Sequence, residues 1–177
     1  IDEGLVGSEM CIRDRVYVSG FSNGAFMAYT TACFLSNKVA AVAPVSGSLS
    51  PEDYESCNPQ RPLSIIHIHG INDSSIPIQG NDYITPLQLV SAFWSSFNSC
   101  TENIIVDGED LNNDGYSWYS ELSTNCQNGV SVNFTYLENF DHSWPTSNPE
   151  KGYSADIDGA TFIWEFLSLY DTNGLID

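Results

Sequence analysis

The sequence predicts an α/β domain built on a mostly parallel sheet with helices on both faces. Three observations predict it. Short apolar runs of strand length alternate with stretches whose apolar residues recur at helical spacing. The runs are nearly continuous rather than alternating, as expected of strands covered on both faces. Gly20 and Gly70 stop two of them at the points where the chain must turn.

The elements run in this order. Residues 16–19 (VYVS) form a first buried strand, and residues 23–35 carry Ala, Met, Phe and Tyr at the spacing of a helix packed on a sheet. Residues 39–46 (VAAVAPVS) give a second strand, and residues 47–62, rich in Ser, Pro, Asp and Asn, a loop. Residues 63–69 (LSIIHIH) make a third strand, and residues 86–97 an amphipathic helix with Pro86 at its start. Residues 103–121 read as two short strands joined at Asn113-Asp114-Gly115, a hairpin signal. Residues 130–138 alternate as a fourth main strand, residues 156–170 close as an aromatic-rich helix, and residues 171–177 read as a frayed tail.

Composition bounds the partners. The 177 residues suit one domain with its own core. Only 5 Lys and Arg stand against 23 Asp and Glu, for a net charge of −18. Nucleic acid and anionic membrane surfaces, which need basic side chains, are excluded as partners. No apolar run approaches the ~20 residues of a membrane span. Residues 1–15 (IDEGLVGSEMCIRDR) fit neither a strand nor a helix leading into the first strand, and their SEMCIRDR portion resembles a translated sequencing-adapter fragment. They are set aside as non-native, leaving residues 16–177 as the domain. Beyond Cys11, the remaining Cys33, Cys57, Cys100 and Cys126 form an even set, consistent with two disulfides in an oxidising compartment. Cys100 and Cys126 bracket a polar segment suited to a loop-closing bridge, with Cys33 and Cys57 left over; four cysteines allow three pairings. No CxxC pair or Cys/His cluster occurs, so no structural zinc is expected.

Chemistry concentrates at Gly20-Phe21-Ser22-Asn23-Gly24, a G-x-S-x-G between a predicted strand and a predicted helix. A serine at such a turn is held in strained backbone geometry, and flanking glycines let neighbouring backbone pass. Ser22 then projects above the sheet at a helix N-terminus, with the Asn23 N–H as an oxyanion donor. A serine needs a base, and there are three histidines. His67 and His69 lie two apart on one face of a strand, among isoleucines, as core or loop-base histidines do. His142 comes after the last main strand in Asp141-His142-Ser143-Trp144-Pro145, at the edge where functional loops gather, and is the predicted base. Asp73, just past the LSIIHIH strand, is the predicted acid, with Asp82 as runner-up and Asp141 expected to point away. The order Ser22, Asp73, His142 is that of α/β-hydrolases.

The runs RVYVSGFSNGAFMAY, AAVAPVSG, HIHGINDSSIP and DHSWP together resemble the secreted polyhydroxybutyrate depolymerase and feruloyl esterase family of α/β-hydrolases. The resemblance implies a cofactor-free serine ester hydrolase acting through an acyl-enzyme, with nucleophile Ser22, acid Asp73 and base His142. It implies a polyester or plant-polysaccharide ester as substrate, a secreted bacterial protein, and a Cys100–Cys126 bridge like one in relatives. From the residues themselves, Trp144 beside His142 reads as pocket wall or, with Trp164, as core, and Phe140 and Ile76 are weaker candidates for the same wall. Two departures stand out. Ile78 replaces an aromatic residue usual after the proline, and nothing matches the upstream block that supplies a second oxyanion donor in relatives. The chain is therefore expected to be a C-terminal portion, poorly active and aggregation-prone alone.

Asp110, Asn112, Asp114 and Glu121 fit D-x-N-x-D-G-x5-E, the spacing of a calcium-binding loop, although strands rather than helices flank it. With that context wrong for calcium, a polar hairpin in a very acidic protein is the preferred reading, and no metal is expected. The sequence leaves two rivals to an esterase: a non-catalytic carbohydrate- or calcium-binding module with a hydrolase-like fold, and a peptidase of that fold.

Overall fold

A computed structural model of the chain describes residues 14–111, 113, 115, 117–147 and 156–176. Residues 1–13 of the segment set aside as non-native lie outside them, as do Asn112 and Asp114. Six strands form one sheet in the order β1-β2-β3-β6-β5-β4. β1 (Tyr17–Phe21), β2 (Ala41–Val45), β3 (Ser64–Gly70) and β6 (Val132–Leu137) run parallel, and β5 (Trp118–Thr124) and β4 (Glu102–Asp107) extend the sheet as an antiparallel hairpin. The expected mostly parallel α/β sheet is what forms.

Alternation along the strands builds two cores. One face carries Val42, Ile65, Val132 and Phe134 against Tyr29 and Cys33 of α1 (Asn23–Leu35) and Val90 and Trp94 of α3 (Leu87–Phe97). The other carries Ala43, Ile66 and Ile68 against Ile163 and Leu167 of α4 (Gly159–Leu167). Each fully buried side chain of this kind contributes about 1.5–3 kcal/mol. Helices on both faces leave β2 and β3 entirely buried, which is why they read as apolar runs. β4, by contrast, is exposed along its whole length, including Ile104, Ile105 and Val106. Among the described residues, no helix is long and apolar enough to cross a membrane.

Two segments differ from expectation. The loop after β2 contains a short helix, α2 (Pro51–Ser56), whose start is fixed locally: the Ser50 hydroxyl accepts from the Asp53 N–H at 3.0 Å and Pro51 opens the first turn. The tail is not frayed. β7 (Tyr170–Asp171) and β8 (Gly174–Leu175) pair as a small hairpin. It is tied down by Thr172 N–H to the Asp14 carbonyl at 2.8 Å and Ile176 N–H to the Leu169 carbonyl at 2.9 Å. Gly174, at φ 125°, lies so close to Asn128 that a Cβ there would sit 2.0 Å from its carbonyl oxygen. Two disulfides close the structure, Cys33–Cys57 from α1 to the end of α2 and Cys100–Cys126 across the start of the hairpin.

Candidate active site

The strand-to-helix turn between β1 and α1 puts Ser22 at φ 55°, ψ −117°, a backbone conformation that L residues rarely adopt. Neighbours hold it there. The Ser22 N–H donates to the Val45 carbonyl at the end of β2 at 2.9 Å. Gly47, in the turn after β2, packs so closely that a Cβ on it would meet the Ser22 carbonyl at 2.9 Å and the Ala25 Cβ at 2.4 Å. The two motif glycines are not equivalent, contrary to expectation. A Cβ on Gly20 would sit 2.3 Å from the Gly24 carbonyl, whereas one on Gly24 meets open space. Asn23 is the first residue of α1, where an N–H has no carbonyl one turn earlier to bond and lies at the positive end of the helix.

Asp73 and His142 come from the loops that leave β3 and β6, strands that are direct neighbours in the sheet. The structure brings both to Ser22. His142 Nε2 lies 2.9 Å from Ser22 Oγ, and His142 Nδ1 lies 2.8 Å from Asp73 Oδ2. The Asp73 side chain is fully buried and that of His142 is 19% exposed, so the imidazole links a buried carboxylate to an accessible hydroxyl. Asp73 Oδ1 accepts from the N–H groups of Ser75 and Ile76 at 3.0 and 2.7 Å. Burial by itself would raise its pKa. The donors from His69, the Ile76 backbone and His142 outweigh that and hold it at about 2.

The remaining candidates divide. Trp144 is 38% exposed and reaches the site through Phe21, whose ring lies 6.4 Å from Trp144 and 4.8 Å from the His142 imidazole. Ile76 is half-buried, and its N–H serves Asp73. Phe140 is fully buried in the core with Ile68 and Leu137, and its backbone rather than its ring meets the β3 turn at Gly70. Of the calcium-type residues, Asp110 accepts from the Gly115 N–H at 3.1 Å in the hairpin loop, while Glu121 stands within β5 opposite Ile105. Among the described residues, no group of three or more metal-ligating side chains gathers.

Three residues join the site that sequence reasoning does not place there. Phe21, the first variable position of G-x-S-x-G, packs on the His142 ring, and its place beside Ser22 is the available signal. Asp141 makes its hydrogen bonds to Ser74 and to the His142 backbone. Its Oδ1 accepts from Ser74 N–H, Ser74 Oγ–H and His142 N–H at 2.9, 3.0 and 2.8 Å, tying the loop that carries His142 to the loop that carries Asp73. His69 lies behind Asp73, with Nε2 3.3 Å from Oδ2.

A mostly parallel sheet with a G-x-S-x-G elbow at a strand-to-helix turn defines an α/β-hydrolase. The phospholipase/carboxylesterase family matches residues 3–107, and the chain belongs to that family. The match begins inside the N-terminal stretch set aside as non-native, and it holds Ser22 and Asp73. Similar proteins include a bifunctional acetylxylan esterase/xylanase of Neocallimastix patriciarum, 31% identical over 160 residues, which are 90% of this chain and 21% of that protein. Feruloyl esterase B of Piromyces equi is 29% identical over 150 residues, 78% of this chain and 27% of that protein. Feruloyl esterase C of Emericella nidulans is 30% identical over 128 residues, 71% of this chain and 43% of that protein. The chain spans a fifth to under half of the length of these relatives.

Proposed function

We propose that the protein is a serine carboxylester hydrolase that removes feruloyl or acetyl groups from plant polysaccharide. The observation that carries this reading is the unbroken chain from Ser22 Oγ through His142 to Asp73, at 2.9 and 2.8 Å. Ser22 Oγ attacks the ester carbonyl while His142 Nε2 takes its proton. Asp73 accepts from His142 Nδ1–H, keeps the ring in the tautomer that exposes Nε2 as a base, and stabilises the imidazolium. Charge on the tetrahedral oxygen is met by the Asn23 N–H at the helix N-terminus. Collapse expels the alcohol, protonated by His142, and leaves an acyl-enzyme. Water, deprotonated by His142, then releases the acid and restores Ser22. No cofactor enters any step. The names of the relatives favour feruloyl and acetyl esters over 3-hydroxybutyrate polyester, and the two disulfides fit a secreted protein.

The test is labelling with a fluorophosphonate probe, mapped by peptide mass spectrometry, then assays on feruloylated and acetylated xylan and on 3-hydroxybutyrate oligomers. A covalent adduct on Ser22 that is lost in His142→Ala is expected, with release of ferulate or acetate exceeding release of 3-hydroxybutyrate. A folded chain with no adduct, or with one on another serine, overturns the mechanism. Faster cleavage of the oligomers overturns the substrate.

A further inference from the structure

Behind the catalytic aspartate runs a line of buried polar side chains that the mechanism does not use. Tyr29 of α1 and His67 and His69 of β3 are each fully buried. The Tyr29 hydroxyl lies 2.9 Å from His67 Nδ1, and His67 Nε2 lies 3.0 Å from His69 Nδ1. His69 Nε2 lies 2.8 Å from the Ile76 carbonyl and 3.3 Å from Asp73 Oδ2. The three rings lie nearly parallel, Tyr29 on His67 at 26° and His67 on His69 at 14°. The strand period of two puts both histidines on one face of β3, and α1 supplies the tyrosine from above.

The far end of this line fixes the proton on His69 Nε2. The Ile76 carbonyl can only accept, and so can the ionised Asp73, so His69 Nε2 must carry a hydrogen. Burial, and then His69 as its neighbour, push the His67 pKa well below the ordinary histidine value, so His67 is neutral. With His69 uncharged, its Nδ1 is bare and accepts, His67 Nε2–H donates to it, and His67 Nδ1 accepts from the Tyr29 O–H; with His69 charged, both bonds run the other way. In the uncharged arrangement all three donors point one way, toward Asp73.

We propose that His69, oriented by Tyr29 and His67, is a positioning residue of the catalytic site: its Nε2–H holds Asp73 Oδ2 in the rotamer that receives His142 Nδ1–H. The chemistry requires it. A carboxylate turns about its terminal bond with little resistance, and Oδ1 is already engaged by two backbone N–H groups on one side. A second N–H beside Oδ2, 3.3 Å away, limits the remaining freedom, and its 2.8 Å bond to the Ile76 carbonyl ties His69 to the loop that carries Asp73. The role rests on the serine-hydrolase reading proposed for Ser22, but the proton arrangement does not.

Two measurements test it. In the wild-type chain, 15N NMR of the ring nitrogens is expected to show both His67 and His69 as neutral tautomers protonated at Nε2. An Nδ1-protonated His69, or a charged ring at neutral pH, overturns the relay whether or not the protein turns over substrate. In the active protein, His69→Leu removes the donor and His69→Gln replaces it with an amide N–H near the same place. His69→Leu is expected to lower kcat about ten- to a hundredfold, the range found for residues that orient a functional ligand, at unchanged KM. His69→Gln is expected to recover most of the loss. Equal losses in both variants, no loss in either, or a change confined to KM would overturn the positioning role. Failure of wild-type Ser22 to label with fluorophosphonate would instead strike the hydrolase reading and leave the tautomer result standing.

Discussion

The two halves of the site are held by different means. Around Asp73 and His142, Asp73 takes hydrogen bonds at both oxygens from three donors, on Ser75, Ile76 and His142, with His69 Nε2 3.3 Å from Oδ2. Asp141 adds two more across the loops that carry Asp73 and His142, and one within its own loop. On the nucleophile side, Ser22 is placed by its backbone, held at positive φ by the Val45 carbonyl and by close packing against Gly47. Side-chain freedom explains the contrast. A carboxylate or imidazole has two rotatable bonds to arrest and is arrested by hydrogen bonds. A serine hydroxyl has one, so its position is essentially that of its Cα, and a strained turn costing about 1–3 kcal/mol sets it.

The sharpest way to break this contrast is at the acid. Asp73→Asn keeps the shape but turns one acceptor into a donor, which faces His142 with the wrong tautomer demand. The same change in a serine protease costs about 10⁴-fold in kcat, and a loss of that order is expected here, measured by steady-state ester hydrolysis. A loss below tenfold would mean that the hydrogen bonds around Asp73 serve folding rather than the base.

A smaller effect is expected at the nucleophile, where backbone rather than hydrogen bonding is disturbed. Gly20→Ala places a Cβ 2.3 Å from the Gly24 carbonyl, so the turn must open and move Ser22. A shift near 1 Å costs on the order of 10²-fold. Gly24→Ala, one turn along the same motif, meets open space and is expected to leave kcat near wild type. Equal losses in the two variants, compared by fluorophosphonate labelling rate, would show that the elbow does not rest on this contact.

The same contrast explains what is legible in the sequence. Ser22 belongs to a local motif whose strain is written in five consecutive residues, and β1, α1 and the turn between them can be read from it. The order Ser22, Asp73, His142 and the ends of β3 and β6 are legible because apolar runs mark the strands, and the loops after neighbouring strands must meet. The surroundings of Asp73 are not. The period of β3 puts His67 and His69 on one face, but Tyr29 joins them only because α1 packs over that face, and no local pattern encodes that. Asp141 likewise escapes it, because its partner Ser74 is 67 residues distant. α2 escapes the sequence reading although Ser50, Pro51 and Asp53 spell its start, because the polar composition of the segment outweighs a cap worth about 1 kcal/mol. The β7–β8 hairpin escapes it because its anchors, Asp14 and Asn128, are tertiary.

The gentlest probe of the contrast is acid. Two carboxylates serve the acid–base side, and both sit below the ordinary aspartate value: Asp73 at about 2, and exposed Asp141 lowered by the Ser74 N–H, the His142 N–H and the Ser74 hydroxyl. A group whose folded pKa is depressed stabilises the fold above its unfolded value and loses that contribution as pH falls through the folded one. For Asp73 the window runs from the ordinary 3.8 down to about 2. The urea midpoint of the wild-type chain is therefore expected to fall across that window by an amount missing from Asp73→Asn. Asp141→Asn should track the wild type closely, because water screens an exposed carboxylate. If the Asp73→Asn curve ran parallel to wild type while Asp141→Asn diverged, the exposed clamp, not the buried carboxylate, would be what couples this side of the site to the fold.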